Sequence, residues 1–170
     1  MKVILVMAMT ADGKIAKNSM EFVDWTGKAD KRYFVSTTKK AGVMIMGSRT
    51  FDTIGKVLPD RKSIVMTKDK TRISDHADLE FTDQLPHQIL NDLQNRGYTC
   101  VTLIGGSIVN TLFMEQDLVD EIHLTMVPFF FGAGLSMFNK DLKIQVELLD
   151  TQIIEKDCLL LKYRVIHKER

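Results

Sequence analysis

Three short stretches of the chain combine glycine, hydroxyl and charged residues in patterns that can do chemistry. In the first, the apolar run Cys100–Ile104 stops at Gly105-Gly106, and a helical pattern opens at Ser107 and runs to about Met114. Glycines let a phosphate approach the backbone, and the helix behind them offers free N–H groups and the positive end of its dipole. The stretch lacks the GxGxxG spacing of a dinucleotide fingerprint, and a Gly-Gly turn is also an ordinary way to join a strand to a helix. The second stretch, Met46-Gly47-Ser48-Arg49-Thr50, repeats the arrangement and adds a cation and a hydroxyl that can hold phosphate oxygens. Taken alone, Arg49 reads as a solvated surface residue. Two such units in one small domain suit a dinucleotide, with its pyrophosphate and often a third phosphate. The third element is Trp25, the only tryptophan, five residues before Asp30 in the first turn of a helical pattern. An acid there ordinarily complements the helix dipole. Partly buried, it can instead bind a cationic or amidine-like heterocycle through two charge-assisted bonds.

Other chemistries are poorly served. His76, His87, His123 and His167 are scattered singly, without a second ligand at metal spacing, so no metal site is expected. No GxSxG, HExxH or Walker A pattern occurs. Cys100 and Cys158 sit among apolar residues without a CxxC, which reads as two buried free thiols in a reducing compartment, a bridge between them being the lesser alternative. A net charge of +1 argues against a nucleic-acid footprint. With 45% hydrophobic and 26% charged residues, the composition is that of a soluble globular protein and excludes disorder or coiled coil. Lys2 followed by the apolar run Val3–Met9 imitates a signal peptide but is too short, and it stops at Thr10-Ala11-Asp12-Gly13. No stretch is long enough to span a bilayer, so a cytoplasmic protein with a small-molecule substrate is expected.

The elements that must position these residues follow from periodicity. Met1–Met9 reads as a central strand covered on both faces, and Thr10–Asp24 as a long functional loop. A helix over Ala29–Ala41, stopped by Gly42, leads to a short buried strand Val43–Met46. Ser48 is the predicted N-cap of a helix over Arg49–Ile54, stopped by Gly55. Strands are expected at Ser63–Thr67, Leu79–Thr82 and Glu121–Val127, with a helix between Pro86 and Gly97. Lys143–Ile154 and Asp157–His167 read as a terminal antiparallel hairpin. The sum is one α/β domain over 1–170, its central sheet mostly parallel with an antiparallel C-terminal edge and helices on both faces. Ligands gather at the carboxyl ends of strands in such sheets, where all three chemical stretches fall.

Over roughly residues 1–127 the chain resembles the dihydrofolate reductase superfamily. Met46-Gly47-Ser48-Arg49-Thr50-Phe51-Asp52-Thr53-Ile54-Gly55, then Leu58-Pro59-Asp60-Arg61, looks like the signature MGRxTWESIG…LPGR. Trp25–Phe34 resembles the WxxPxDxxxF segment, Ile104–Ser107 the IGG(G/A) turn, and Leu124-Thr125 an LT pair whose threonine lies near the active-site acid. The departures are Ser48 in place of the usual cofactor-binding cation, Asp24 in place of a proline, a longer loop before Trp25, and Asn110 in place of an aromatic. Leu118-Val119-Asp120-Glu121 and Gly132–Phe138 resemble instead the pyrimidine reductases of riboflavin synthesis, which share the fold and NADPH.

The resemblance implies hydride transfer from NADPH to the pterin C6 of 7,8-dihydrofolate, with a proton delivered to N5. It implies catalytic roles for Asp30, Trp25 and Thr125, and a substrate pocket walled by Met7, Ala8, Phe34, Ile54 and Ile104 with Arg61 on the substrate's glutamate carboxylate. Cofactor contacts would come from Ala8, Ile15, Gly47, Ser48, Arg49, Thr50, Thr67, Lys68, Gly105, Gly106, Ser107, Ile108 and Val109. The alternatives are reduction of the ribosylamino-pyrimidine phosphate of riboflavin synthesis, or a ligand-binding protein that kept the fold without activity. Arg61 tilts the reading toward folate, as do the missing DDPxL segment of the riboflavin enzymes and the lack of any deaminase sequence within these residues. Phe129-Phe130-Phe131 is an apolar cluster suited to a homodimer interface.

Overall fold

The computed structural model describes residues 1–20 and 23–167. Among these, ten strands and four helices follow one another: β1 (Lys2–Thr10), β2 (Lys14–Ala16), α1 (Gly27–Ala41), β3 (Val43–Gly47), α2 (Ser48–Ile54), β4 (Lys62–Met66), β5 (Leu79–Thr82), α3 (Pro86–Asn95), β6 (Cys100–Leu103), α4 (Ser107–Glu115), β7 (Glu121–Val127), β8 (Leu135–Ser136), β9 (Val146–Glu155) and β10 (Cys158–Val165).

Eight strands of the described residues form one sheet in the order β5-β4-β3-β6-β1-β7-β10-β9. The pairings from β5 to β7 are parallel, and β10 runs antiparallel to both β7 and β9. The continuous apolar run of β1 has the expected cause, since Val3 and Leu5 are almost fully buried at the centre of the sheet. Side-chain alternation divides the core in two. Val43 and Ile45 pack with Ile89, Leu93, Val109 and Phe113, which puts α3 and α4 on one face. Met44, Met46 and Val65 pack with Phe34, Phe51 and Ile54, which puts α1 and α2 on the other. No helix among the described residues is long and apolar enough to cross a membrane.

Four expectations need correction. The stretch from Thr10 to Asp24 is not all loop: Lys14–Ala16 forms β2 and pairs with β8 far along the chain. No local periodicity announces strands this short. Their contact depends on Gly134, where an added Cβ would stand 2.6 Å from the Ala16 carbonyl oxygen. Secondly, the N-cap of α2 is Gly47, in extended backbone, and Ser48 is the first helical residue. Thirdly, β9 begins at Val146 rather than Lys143, because its ladder with β10 opens at Val146 opposite Val165, and β10 ends there, before His167. Lastly, α1 begins at Gly27, two residues early. Its N-cap, Thr26, gives no side-chain bond, and Glu155 from the β9–β10 hairpin accepts the Ala29 N–H at 3.2 Å. Both cysteines are free, Cys158 buried and Cys100 half-buried.

Candidate active site

Parallel strands deliver their helices from one edge of the sheet, so the turns after β3 and β6 lie side by side. The Gly47 N–H donates to the Gly105 carbonyl at 2.8 Å, and the Asn110 N–H to the Gly106 carbonyl at 3.0 Å. The Gly105–Gly106 peptide is cis, and Gly105 has φ 90°. Packing is tight here: a Cβ on Gly47 would meet Val109 at 3.1 Å, and one on Gly105, where φ is already positive, would meet the Met7 sulfur at 3.3 Å. A Cβ on Gly106 would lie 3.5 Å from the Thr50 hydroxyl. The two glycine units of the sequence are therefore one continuous surface, joining the N-termini of α2 and α4.

Beside it, Arg49 and Lys68 are exposed, and among the described residues neither has an ion-pair partner. Arg72 fixes their neighbourhood. Its guanidinium grips both carboxylate oxygens of Asp52 on α2, at 2.6 and 2.7 Å, and so ties the loop after β4 to the helix that carries Arg49. The Asp52 carboxyl is held below its usual range by the Arg72 hydrogen bond. Thr67 directs its hydroxyl to its own loop, accepting the Asp69 N–H at 3.1 Å. Of the other residues expected at the cofactor, Ile15 is buried in β2, whereas Ile108 is half exposed on the outer side of α4.

On the face covered by α1 and α2, Phe34, Ile54 and Ile104 gather in one apolar cluster. Ala8 stands opposite Thr125 in the β1–β7 ladder, and Thr125 opposite Leu160 in the next. Thr125 is buried and Asp30 is half-buried in the first turn of α1. The Asp30 charge reaches the start of β10: burial pushes the Cys158 thiol up, and the charges of Glu155, Asp30 and Asp157 add to it. Trp25 lies edge-on to Phe131 at 5.1 Å, and its buried Nε1 has no hydrogen-bond partner. Arg61 is only 4% exposed. Its Nη1 donates to the Thr38 hydroxyl and to the Val35 carbonyl, Nε has no partner, and burial pushes the guanidinium below its ordinary value. The buried Ser63 hydroxyl two residues on is likewise without a partner.

The segment after β1 is fastened to the stretch that follows β7. Asp12 accepts from the Thr10 hydroxyl at 2.5 Å, from the Gly132 N–H at 2.7 Å and from the Phe131 N–H at 3.2 Å. Lys17 lies 5.0 Å from the Phe131 ring, which itself meets Trp25. Phe131 thus packs between Trp25 and Lys17, while Phe129 and Phe130 remain exposed. The sequence reading missed Asp12, Arg72 and Glu155, each of which acts through a partner far away in sequence. It also missed why Asn110 replaces an aromatic. The Asn110 amide donates to the Met137 carbonyl at 3.0 Å, and its neighbour Thr111 accepts the Asn139 N–H at 3.0 Å. Together they seat the segment after β8 on α4.

A mostly parallel sheet with paired glycine turns after β3 and β6 and an antiparallel C-terminal edge has the architecture of the dihydrofolate reductase-like class. Comparison with known proteins agrees. The dihydrofolate reductase of Staphylococcus haemolyticus is 25% identical over 126 residues, 72% of this chain and 71% of that one. The fold matches that of Enterococcus faecalis dihydrofolate reductase complexed with NADP(H), with a TM-score of 0.75 at 18% identity over 96% of each chain. It also matches a Thermotoga maritima diaminohydroxyphosphoribosylaminopyrimidine deaminase/5-amino-6-(5-phosphoribosylamino)uracil reductase, with a TM-score of 0.78 at 19% identity, covering 97% of this chain and 56% of that longer one. Residues 1–160 match the family described as RibD C-terminal domain, and the chain belongs to it.

Proposed function

We propose that the protein is an NADPH-dependent reductase whose first substrate to test is 7,8-dihydrofolate. The observation that carries this reading is Asp30: a half-buried carboxylate in the first turn of α1, the helix that one turn later carries Phe34 into the apolar cluster with Ile54 and Ile104. A carboxylate so held suits the amidine edge of a pterin, which it grips with two charge-assisted bonds. The paired glycine turns fit the cofactor, because a helix opens behind each and neither Gly47 nor Gly106 puts a side chain between a phosphate and the backbone. Arg49 and Lys68 at the adjoining rim fit a 2′-phosphate. When bound, NADPH supplies the hydride that reaches the pterin C6. The residues do the rest: Asp30 orients the ring and helps bring a proton to N5 through water, and the Lys14–Ala16 segment with Trp25 excludes bulk water.

A second reading, reduction of the ribose of a ribosylamino-pyrimidine phosphate, is favoured by the family match and by the segment seated on Asn110 and Thr111. Following NADPH oxidation with each substrate separates the two. Turnover with dihydrofolate supports the first reading, and turnover only with the pyrimidine replaces it with the second. If neither substrate is turned over and NADPH does not bind, the enzymatic reading falls.

A further inference from the structure

Asp30 and Thr125 stand on different elements, α1 and β7, and reach the substrate together only if helix and strand keep one relative position. The next residues along both elements make the contact that sets it. Tyr33 follows Asp30 by about one helical turn, and His123 precedes Thr125 by two strand residues on the same face. The Tyr33 hydroxyl lies 2.7 Å from His123 Nδ1, and His123 Nε2 lies 3.0 Å from Glu121 Oε2. Glu121 Oε1 meets Lys2 Nζ at 2.7 Å, which carries the chain of contacts to β1.

Hydrogen-bond chemistry gives the chain one direction. Burial opposes the charge on Glu121, but the hydrogen bonds from Lys2 and His123 outweigh it and keep the carboxyl below its usual range. An ionised carboxylate only accepts, so His123 Nε2 carries the hydrogen and Nδ1 offers a lone pair to the Tyr33 hydroxyl. Burial holds His123 neutral, pushing it below the ordinary histidine value against the pull of Glu121. Burial likewise keeps Tyr33 protonated, and Lys162, 5.9 Å from the Tyr33 ring, is paired with Asp150. Every donor in the line has an acceptor.

We propose that Tyr33, His123 and Glu121 form the positioning relay of the active site, locking α1 to β7 so that Asp30 and Thr125 face the substrate at a fixed separation. This rests on the reading of Asp30 as the substrate-side carboxylate. Tyr33→Phe removes one oxygen and keeps the ring, so the relay stays testable even where a larger change fails to fold. The experiment compares Tyr33→Phe, His123→Leu, His123→Gln and Asp30→Asn for kcat, KM and NADPH dissociation constant, the last by quenching of Trp25 fluorescence. Tyr33→Phe and His123→Leu are expected to lower kcat on the order of ten- to a hundredfold, the scale of a misplaced catalytic group, with NADPH binding unchanged. His123→Gln, whose amide can accept from Tyr33 and donate to Glu121, is expected to recover most of that loss. Wild-type kcat in Tyr33→Phe, or a His123→Gln no better than His123→Leu, overturns the relay. If those variants are unaffected while Asp30→Asn is impaired, only the relay fails. If Asp30→Asn is itself unimpaired, the reading beneath it fails first.

Discussion

Replacing Arg61 by leucine tests the substrate side of the site. The guanidinium is almost fully buried, with Nη1 bound to α1 and Nε free of any partner. Two opposing terms govern its removal. Losing the bonds to Thr38 and Val35 leaves two acceptors unfilled, whereas losing a buried cation that no carboxylate hydrogen-bonds, and that only feels the charge of Asp60, returns a desolvation cost. These nearly cancel, so stability should change by no more than about 1 kcal/mol. Binding has no such cancellation. If substrate binding brings the glutamate carboxylate of dihydrofolate to this guanidinium, which is buried in its absence, the lost charge-assisted pair is worth about 1.5–3 kcal/mol. The KM for dihydrofolate then rises about ten- to a hundredfold. A pterin without the glutamate tail should be almost unaffected. The assay is steady-state NADPH oxidation with both substrates, alongside urea denaturation of both proteins. Equal losses for the two substrates would refute the argument and leave Arg61 as a tie between β4 and α1.

Three further outcomes follow from the geometry. Arg49→Ala combined with Lys68→Ala should erase most of a preference for NADPH over NADH, read as the ratio of kcat/KM values, and in wild type that preference should shrink with added salt because both cations are exposed. Gly134→Ala should force β2 from β8, since its Cβ would stand 2.6 Å from the Ala16 carbonyl; faster hydrogen exchange at Lys14–Ala16 with an intact core checks it. Finally, His123 is depressed in the fold relative to about 6.5 in the unfolded chain. Its contribution to stability is therefore complete above that value and is lost as pH falls through the folded one. Urea midpoints at neutral and mildly acidic pH should drop more in wild type than in His123→Gln.

The fold was legible where its signals are local. The apolar runs of β1, β3 and β6, each stopped by a turn or by glycine, predict the buried parallel strands, and Pro86 with the Ile89, Leu90 and Leu93 stripe predicts α3. β2 and β8 escaped because three and two residues carry no period, and their pairing depends on tertiary contact alone. The same division holds in the site. Glycine turns and the Trp25, Asp30 spacing can be read along the chain, and the structure brings the two turns within one hydrogen bond of each other. Glu155 at the N-terminus of α1 and His123 beneath Thr125 could be found only after folding, since their partners lie in other elements. Ser48 misled for a related reason: hydroxyl residues are favoured N-caps, but the backbone of Gly47, held to Gly105, turns into α2 one residue earlier.

Turnover of NADPH with 7,8-dihydrofolate in wild type and in Asp30→Asn tests the central claim most directly. The expected result is measurable turnover in wild type, a fall on the order of a hundredfold or more in the variant, and an unchanged NADPH dissociation constant. Near-wild-type turnover by Asp30→Asn at neutral pH would contradict it.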